Sequence, residues 1–223
     1  MIVLAFDCAV SGLGVALVRD GVPLAALAEG GRDQAARLLP AIEALLADAG
    51  IDRREITLIA VTVGPGSFTG VRVGLAAARG LSVGFDVPLA GLTTTSVLLA
   101  QVKAGDRLAV AAIDSRLGDW FCALGDGSAP FVATAGELAS RIGGQPCRII
   151  GSSVQPLASE LRSAGADVMA EESTPDPVAL ARLAGDIGVD AWRMQNRSEG
   201  LPRPLYLRGV NITLPDGARR TVD

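Results

Sequence analysis

The sequence predicts an α/β protein built twice over: two lobes, each a mixed sheet flanked by helices, facing a cleft. Three observations carry this. Strand-like and helix-like stretches run in the order three strands, helix, strand, helix, strand, helix, and the second half of the 223 residues echoes it. The halves also open alike, with FDCAVSGLGVAL at 6–17 and IDSRLGDWFCAL at 113–124. Each ends a first strand on an aspartate, Asp7 or Asp114, then turns through Ser and Gly into a second strand. Finally, hydrophobic residues make up 49% of the chain but aromatics only 4%, so the apolar mass is Ala, Val and Leu, which suits close helix–sheet packing.

The elements follow in order. Ile2 to Phe6 reads as a buried strand. Gly14 to Arg19 and Val22 to Ala28 read as a hairpin joined by Asp20-Gly21, a pair that accepts positive φ. A helix runs from about Asp33 to Ala49 and stops at Gly50, with Ala35, Leu38, Leu39, Ile42, Leu45, Leu46 and Ala49 as its core stripe. Pro40 should kink that helix or mark a restart. Arg32, just ahead of it, is expected to be exposed. Leu58 to Val63 is a strand, a glycine-rich loop follows, and a helix runs to about Gly84. Val87 to Leu92 is a short strand, and Thr94 or Thr95 caps a helix reaching Lys103. In the second half, Leu108 to Asp114, Trp120 to Leu124 and a weaker run near Phe131 are strands. Thr134 and Glu137 form a capping box for a helix to Ile142. Arg148 to Gly151 is a strand, a helix runs to about Ala164, and a short strand lies near Val168. Asp176-Pro177 opens the last helix. The lobes are expected at 1–104 and 105–223, with the last segment crossing back.

Composition excludes several functions. A net charge of −4 offers no basic footprint for nucleic acid, so the chain alone should bind it poorly. No apolar stretch is long enough to span a bilayer, because Arg72, Arg79 and Asp86 interrupt the greasiest region. Met1 leads into an apolar run that meets Asp7 without a basic segment, so no signal peptide is expected. Cys8, Cys122 and Cys147 are isolated, which fits a reducing cytosol. There is no histidine at all. That removes the commonest general base and transition-metal ligand, and with them His-based zinc sites, Ser-His-Asp triads and Cys-His dyads. No resident metal or cofactor is expected.

The loop VTVGPGSFTGVRVGLAAARG, residues 61–80, is the most distinctive stretch. Its glycines are spaced G-x-G-x-x-x-G, neither a P-loop nor a dinucleotide fingerprint. Amides at the helix start could meet a phosphate or carbonyl, or the loop could be a tight turn swinging strand into helix. Gly70, Gly74 and Ala78 fall four apart on one helix face. Such a face either admits a second helix from a partner or packs inside the chain. Ala36, Pro40, Ala44 and Ala47 make a similar small stripe on the preceding helix. Asp7 and Asp114 could hold a hydrated metal near a nucleotide, or could cap turns. Arg116 could bind an anion or plug the cleft through a salt bridge. Ser152 follows Gly151 where a second glycine would suit a nucleotide.

The stretches GPGSFTGVRVGLAAARGLSVGFDVPLAGLTT, LAFDCAVSGLGVAL, RLLPAIEALLADAG, AAIDSRLGDWF and the late PLYLRG resemble the TsaB family, also called YeaZ. The match is strong from the N-terminus to about Phe121 and loose to Gly209. The resemblance implies a duplicated actin-like (ASKHA) fold in a bacterial cytoplasmic protein needed for N6-threonylcarbamoyladenosine in tRNA. It implies a non-catalytic partner of the transferase TsaD, joined by the ATPase TsaE, a homodimer when alone, and contact with tRNA only through the complex. It places the partner contact on Asp33 to Ala49 and Gly64 to Leu81. The residues so implied are Ala36, Arg37, Pro40, Ala44, Gly64, Pro65, Gly66, Ser67, Phe68, Thr69, Gly70, Val71, Arg72, Gly74 and Ala78. Asp7, Ser11, Asp114, Arg116 and Gly151 would mark a vestigial nucleotide cleft. The transferase relative carries an H-x-x-x-H metal motif where this chain reads Thr93, Thr94, Thr95, Ser96, Val97, and those side chains cannot replace paired imidazoles. Gln34 stands where the family often shows His. Nothing supplies a protease nucleophile with its base, despite older peptidase labels for the superfamily. The rival readings are an actin-like ATPase or sugar-kinase-type phosphotransferase, with Asp7 and Asp114 facing a nucleotide, and a homodimer regulating something else.

Overall fold

The computed structural model describes residues 1–31, 33–103, 105–208, 210–213 and 219–222, the last two spans as backbone. Arg32 lies outside the described residues, as do Ala104 and Gly209. The first sheet takes β1 (Ile2–Asp7), β2 (Leu13–Arg19) and β3 (Val22–Glu29) as an antiparallel meander. The Asp20-Gly21 turn between β2 and β3 has both residues at positive φ, 50° and 79°, as a two-residue hairpin requires. After α1 (Gln34–Ala49), strand β4 (Leu58–Thr62) pairs parallel with β1. Helix α2 (Phe68–Phe85) then leads to β5 (Leu89–Leu92), parallel to β4, and to α3 (Thr94–Ala100). The spatial order is β3-β2-β1-β4-β5.

The second sheet repeats this. Strands β6 (Leu108–Asp114), β7 (Trp120–Leu124) and β8 (Phe131–Ala133) form the meander. Then come α4 (Ala135–Ile142), β9 (Cys147–Ser152), α5 (Val154–Ser163) and β10 (Val168–Glu172). The order is β8-β7-β6-β9-β10, with β9 parallel to β6 and β10 parallel to β9. Same order and same senses of pairing establish the duplicated actin-like α/β fold.

Two further helices return to the first sheet. Asp176 caps α6 (Pro177–Ile187), accepting from Val178 N at 2.9 Å, with Pro177 at the first helical position. Leu180, Ala181 and Ala184 of α6 cover Val3, Ala5, Ala16 and Ala60. The alternate residues Ile2, Leu4 and Phe6 face α1 and α2 on the other side. Both faces of β1 are therefore covered, which is why it reads as an unbroken apolar run. Helix α7 (Val189–Glu199), separated from α6 by Gly188, was not resolved as a second helix by sequence reasoning. Its Asn196 accepts from Leu89 N at 2.7 Å and donates to Leu89 O at 3.0 Å, closing the free edge of β5. A ribbon, β11 (Val210–Thr213) with β12 (Arg219–Val222), ends the chain.

Several expectations are corrected. Pro40 sits inside an unbroken α1 rather than at a restart. It lies on the exposed side, where solvent can serve the carbonyl of Ala36 that loses its helical partner. Ala35 and Leu39 are exposed and Ala41 takes a place in the core, because the helix meets the sheet along Leu38, Ala41, Ile42 and Leu45. Thr93 caps α3, accepting from Ser96 N at 3.0 Å, while Thr94 and Thr95 are fully buried.

The larger correction concerns α2. Gly70, Gly74 and Ala78 all face inward. A Cβ on Gly70 would sit 1.9 Å from the Cys8 carbonyl oxygen, and one on Gly74 would sit 3.4 Å from Val61 Cγ2 and 3.7 Å from Cys8 Cβ. The small residues admit β1 and β4 of the same chain, not a partner's helix. Gly74→Leu is therefore expected to cost about 1–3 kcal/mol of fold stability or more, by overpacking against Cys8 and Val61. Denaturant unfolding checks this, and a parent-like midpoint would contradict the inward placement.

Candidate functional site

Two surfaces compete for function: the cleft between the sheets and the outer face of α1 and α2. The cleft holds about 850 Å³ and is lined by Ser11, Ser67, Phe68, Thr69, Asp114, Arg116, Ser152 and Ser153, among others. The duplication reaches its turn chemistry. Asp7 Oδ1 accepts from Ala9 N at 3.1 Å, and Asp114 Oδ1 accepts from Arg116 N at 2.7 Å. Their surroundings differ. Asp114 is half-buried and lines the cleft. Asp7 is 3% exposed, accepts from the Thr62 hydroxyl at 2.5 Å and is not part of the lining. Burial pushes its carboxyl up to about 6, against the opposing pull of the Thr62 and Ala9 hydrogen bonds. The expectation that both aspartates face a nucleotide fails at Asp7.

Gly151 is buried too. A Cβ there would lie 1.7 Å from the Ala112 carbonyl oxygen, so this glycine lets β9 pass close to β6. Arg116 is exposed in the lining at φ 61°, and no carboxylate among the described residues pairs with it. Sequence reasoning missed Glu172. Its carboxylate accepts from Ser153 N at 2.7 Å, Val154 N at 2.8 Å and Gln155 N at 3.1 Å. The amides opening α5, which would otherwise attract an anion, are met by the chain's own carboxylate. Among the described residues no group of three or more His, Cys, Asp and Glu side chains converges as metal ligands would. Thr93 serves as a cap and Val97 is core.

The GPGSFTG loop is shaped by the cleft's floor. A Cβ on Gly66 would fall 2.1 Å from the Ala9 carbonyl oxygen, and Ser67 N donates to that oxygen at 2.6 Å. Ser67 then caps α2, accepting from Gly70 N at 3.2 Å. Of the residues implied at a partner contact, Gly64, Pro65, Gly70, Val71, Gly74 and Ala78 are buried within the chain and Gly66 is half-buried. Ala36, Arg37, Pro40, Ala44, Ser67, Phe68, Thr69 and Arg72 are exposed. Arg37 is engaged by Glu29, with Nε to Oε2 at 3.0 Å and Nη2 to Oε1 at 2.6 Å.

What α2 presents outward is a different stripe: Thr69, Arg72, Ala76, Gly80 and Val83, all exposed. Beside it α1 presents Ala36, Leu39, Pro40, Ala44 and Ala47. Val83 is 74% exposed, Leu39 48% and Phe68 43%, so this face leaves large apolar side chains in water. At one end the Arg72 guanidinium carbon lies 3.7 Å from the Phe68 ring centroid, and its Nε donates to Tyr206 Oη at 2.9 Å. The late PLYLRG stretch thus reaches α2. Leu205 N also donates to Val63 O at 2.8 Å, Arg79 donates to Pro202 O, and Arg208 pairs with Asp119 of the β6–β7 turn.

Comparison with known proteins places this geometry. A family model described as TsaD: tRNA N6-adenosine threonylcarbamoyltransferase matches residues 28–139. The tRNA threonylcarbamoyladenosine biosynthesis protein TsaB of Escherichia coli (strain K12) is 37% identical over 125 residues, covering 55% of this chain and 54% of that protein. The protein of the same name from Bacillus subtilis (strain 168) is 31% identical over 125 residues, covering 56% and 55%. The match thus spans about half the length of these curated relatives. The solved structure of YeaZ from Pseudomonas aeruginosa covers 92% of this chain and 99% of its own, with a TM-score of 0.70 at 23% identity. That likeness speaks for the fold.

Asp7 makes a pH prediction. Its folded value of about 6 stands above the ordinary 3.8, so the folded state holds more protons than the unfolded one between those values. Asp7 therefore contributes stability below about pH 4 that is lost as pH rises through about 6, on the order of 3 kcal/mol. Asp7→Asn keeps the carbonyl acceptor for Thr62 and Ala9 and removes the charge. Its stability should fall less steeply between about pH 4 and 6 and exceed the parent's above about pH 7. An unchanged slope in denaturant titrations would contradict this.

Proposed function

Because this chain belongs to the TsaB (YeaZ) family, we propose that it is a non-catalytic dimerisation subunit. In this reading it docks on a TsaD-type transferase and supports formation of N6-threonylcarbamoyladenosine in tRNA. A TsaE-type ATPase joins the pair, the free chain self-associates, and tRNA is met only through the assembly. The observation that carries the reading is the outer face of α1 and α2, where Ala36, Leu39, Pro40 and Ala44 lie beside Ala76, Gly80 and Val83 in the open. Small side chains let a partner's helices come close, and the exposed Leu39 and Val83 supply apolar area to bury. The absence of histidine and the Thr93–Val97 segment support a role without transfer chemistry of its own. The division into lobes at 1–104 and 105–223 is part of the same reading, with α6 and α7 returning to the first.

The rival phosphotransferase reading needs two carboxylates and free amides around a nucleotide. Burial of Asp7 and the capping of α5 by Glu172 count against it. ATP with magnesium should accordingly bind the chain no better than about millimolar by calorimetry, and a low-micromolar constant would revive the rival.

Ala76→Arg and Ala44→Arg place a bulky cation at the centre of the outer face without touching the core. Each should leave the fold within about 0.5 kcal/mol of the parent. Each should weaken complex formation with the TsaD-type subunit at least ~10-fold, read by size-exclusion chromatography and calorimetry. Modified tRNA should fall in cells carrying either variant. Parent-like affinity in both would sink the scaffold reading.

A further inference from the structure

We infer that Arg72 is a preorganised receptor for a carboxylate that the docking partner supplies. The inference rests on the reading of the outer α1/α2 face as the partner surface. It begins from a count of charge. The two helices carry three arginines, Arg37, Arg72 and Arg79. Arg37 is held by Glu29, and Arg79 donates twice to the Pro202 carbonyl, at 3.2 and 2.5 Å. Arg72 alone stands on the outward stripe of α2, and no carboxylate among the described residues lies within ion-pair distance of it.

Its posture is nonetheless fixed. Phe68 stacks under the guanidinium at 3.7 Å, and Tyr206 accepts from Nε at 2.9 Å. The two rings lie 5.6 Å apart. A long side chain normally loses rotamer entropy when it is immobilised on binding. Here much of that ordering is already made by Phe68 on the same helix and by Tyr206 on the PLYLRG stretch. Nε is engaged and the two Nη groups remain, the pair that meets a carboxylate end-on.

Covering the face makes the partner's chemistry obligatory. A guanidinium taken out of water without an anion is strongly destabilising. The stripe that would go under with it, Ala76, Gly80 and Val83, supplies none. The partner must therefore present an Asp or Glu. A nucleic-acid phosphate fits less well, because a backbone needs several cations while this chain is at −4 and α1 exposes Glu43 and Asp48. The site makes the interface selective as well as sticky, since an apolar partner without the carboxylate would strand a buried charge.

The test uses the full chain and the TsaD-type subunit, with affinity measured at low and high salt. Arg72→Ala should weaken the complex at least ~30-fold and flatten its salt dependence. Arg72→Lys should recover only part of the loss, because an ammonium cannot stack on Phe68 or bond in a planar pair. Tyr206→Phe should weaken binding by a smaller factor, ~3–10-fold, with salt dependence retained. Melting temperatures of the free variants should match the parent's. If Ala76→Arg abolishes binding while Arg72→Ala leaves it unchanged, the surface stands and the carboxylate receptor is overturned. If neither variant matters, both readings fail. A loss confined to self-association of this chain also overturns it, assigning the carboxylate to a second copy.

Discussion

The structure depends on how closely the start of α2 lies against the end of β1. The Ala9 carbonyl oxygen receives Ser67 N at 2.6 Å, and Gly66 and Gly70 leave no room for a Cβ beside Ala9 and Cys8. Backbone meets backbone there because side chains are absent. Three consequences follow. The aspartate ending β1 is covered over and taken out of the cleft. The inward face of α2 is spent on its own sheet. The outward face, set by the same helical rotation, becomes the stripe from Thr69 to Val83.

The same constraint explains how two lobes of one design came to differ. Each ends its first strand in an aspartate that braces the following turn. In the first lobe the glycine loop seals that aspartate in. In the second, a turn of the same length carries Arg116 and leaves Asp114 in the cleft wall, while Glu172 reaches across from β10 to satisfy α5. A cleft of about 850 Å³ remains, with the amides that open α5 met by Glu172. On the proposed reading the fold serves as a frame for its surfaces, and the outer helices are where Leu39 and Val83 stand in water.

Much of this was legible in the sequence, and the failures have physical causes. The succession of strands and helices along the chain, the Asp20-Gly21 hairpin, the Thr134–Glu137 box and the Asp176-Pro177 start depend on neighbours within a few residues, so local reasoning finds them. The stripe Gly70, Gly74, Ala78 was visible, but spacing says which residues share a face and not what that face meets. Sheet and partner both welcome small residues. The outward stripe was hidden because alanine, glycine and valine also suit a core. Glu172 is nineteen positions from the amide of Ser153 that it serves, and Asn196 is 107 from Leu89. No local pattern announces such contacts. Leu39 was assigned to the core by periodicity and is 48% exposed because α1 turns Ala41 inward beside it.

The late PLYLRG stretch shows what a contact far along the chain can add. In sequence it is a short proline-led segment with no period. In the fold it passes the end of β4, where Leu205 donates to Val63, and hands Tyr206 to Arg72 and Arg208 to Asp119. One segment thus touches the outer helix, the floor beneath it and the turn of the opposite lobe. A side chain as long as Arg72 would sweep a wide volume if it were held only by its own helix. Held between Phe68 and Tyr206, it has a defined direction, and direction is what turns a single exposed cation into a feature that a partner can recognise.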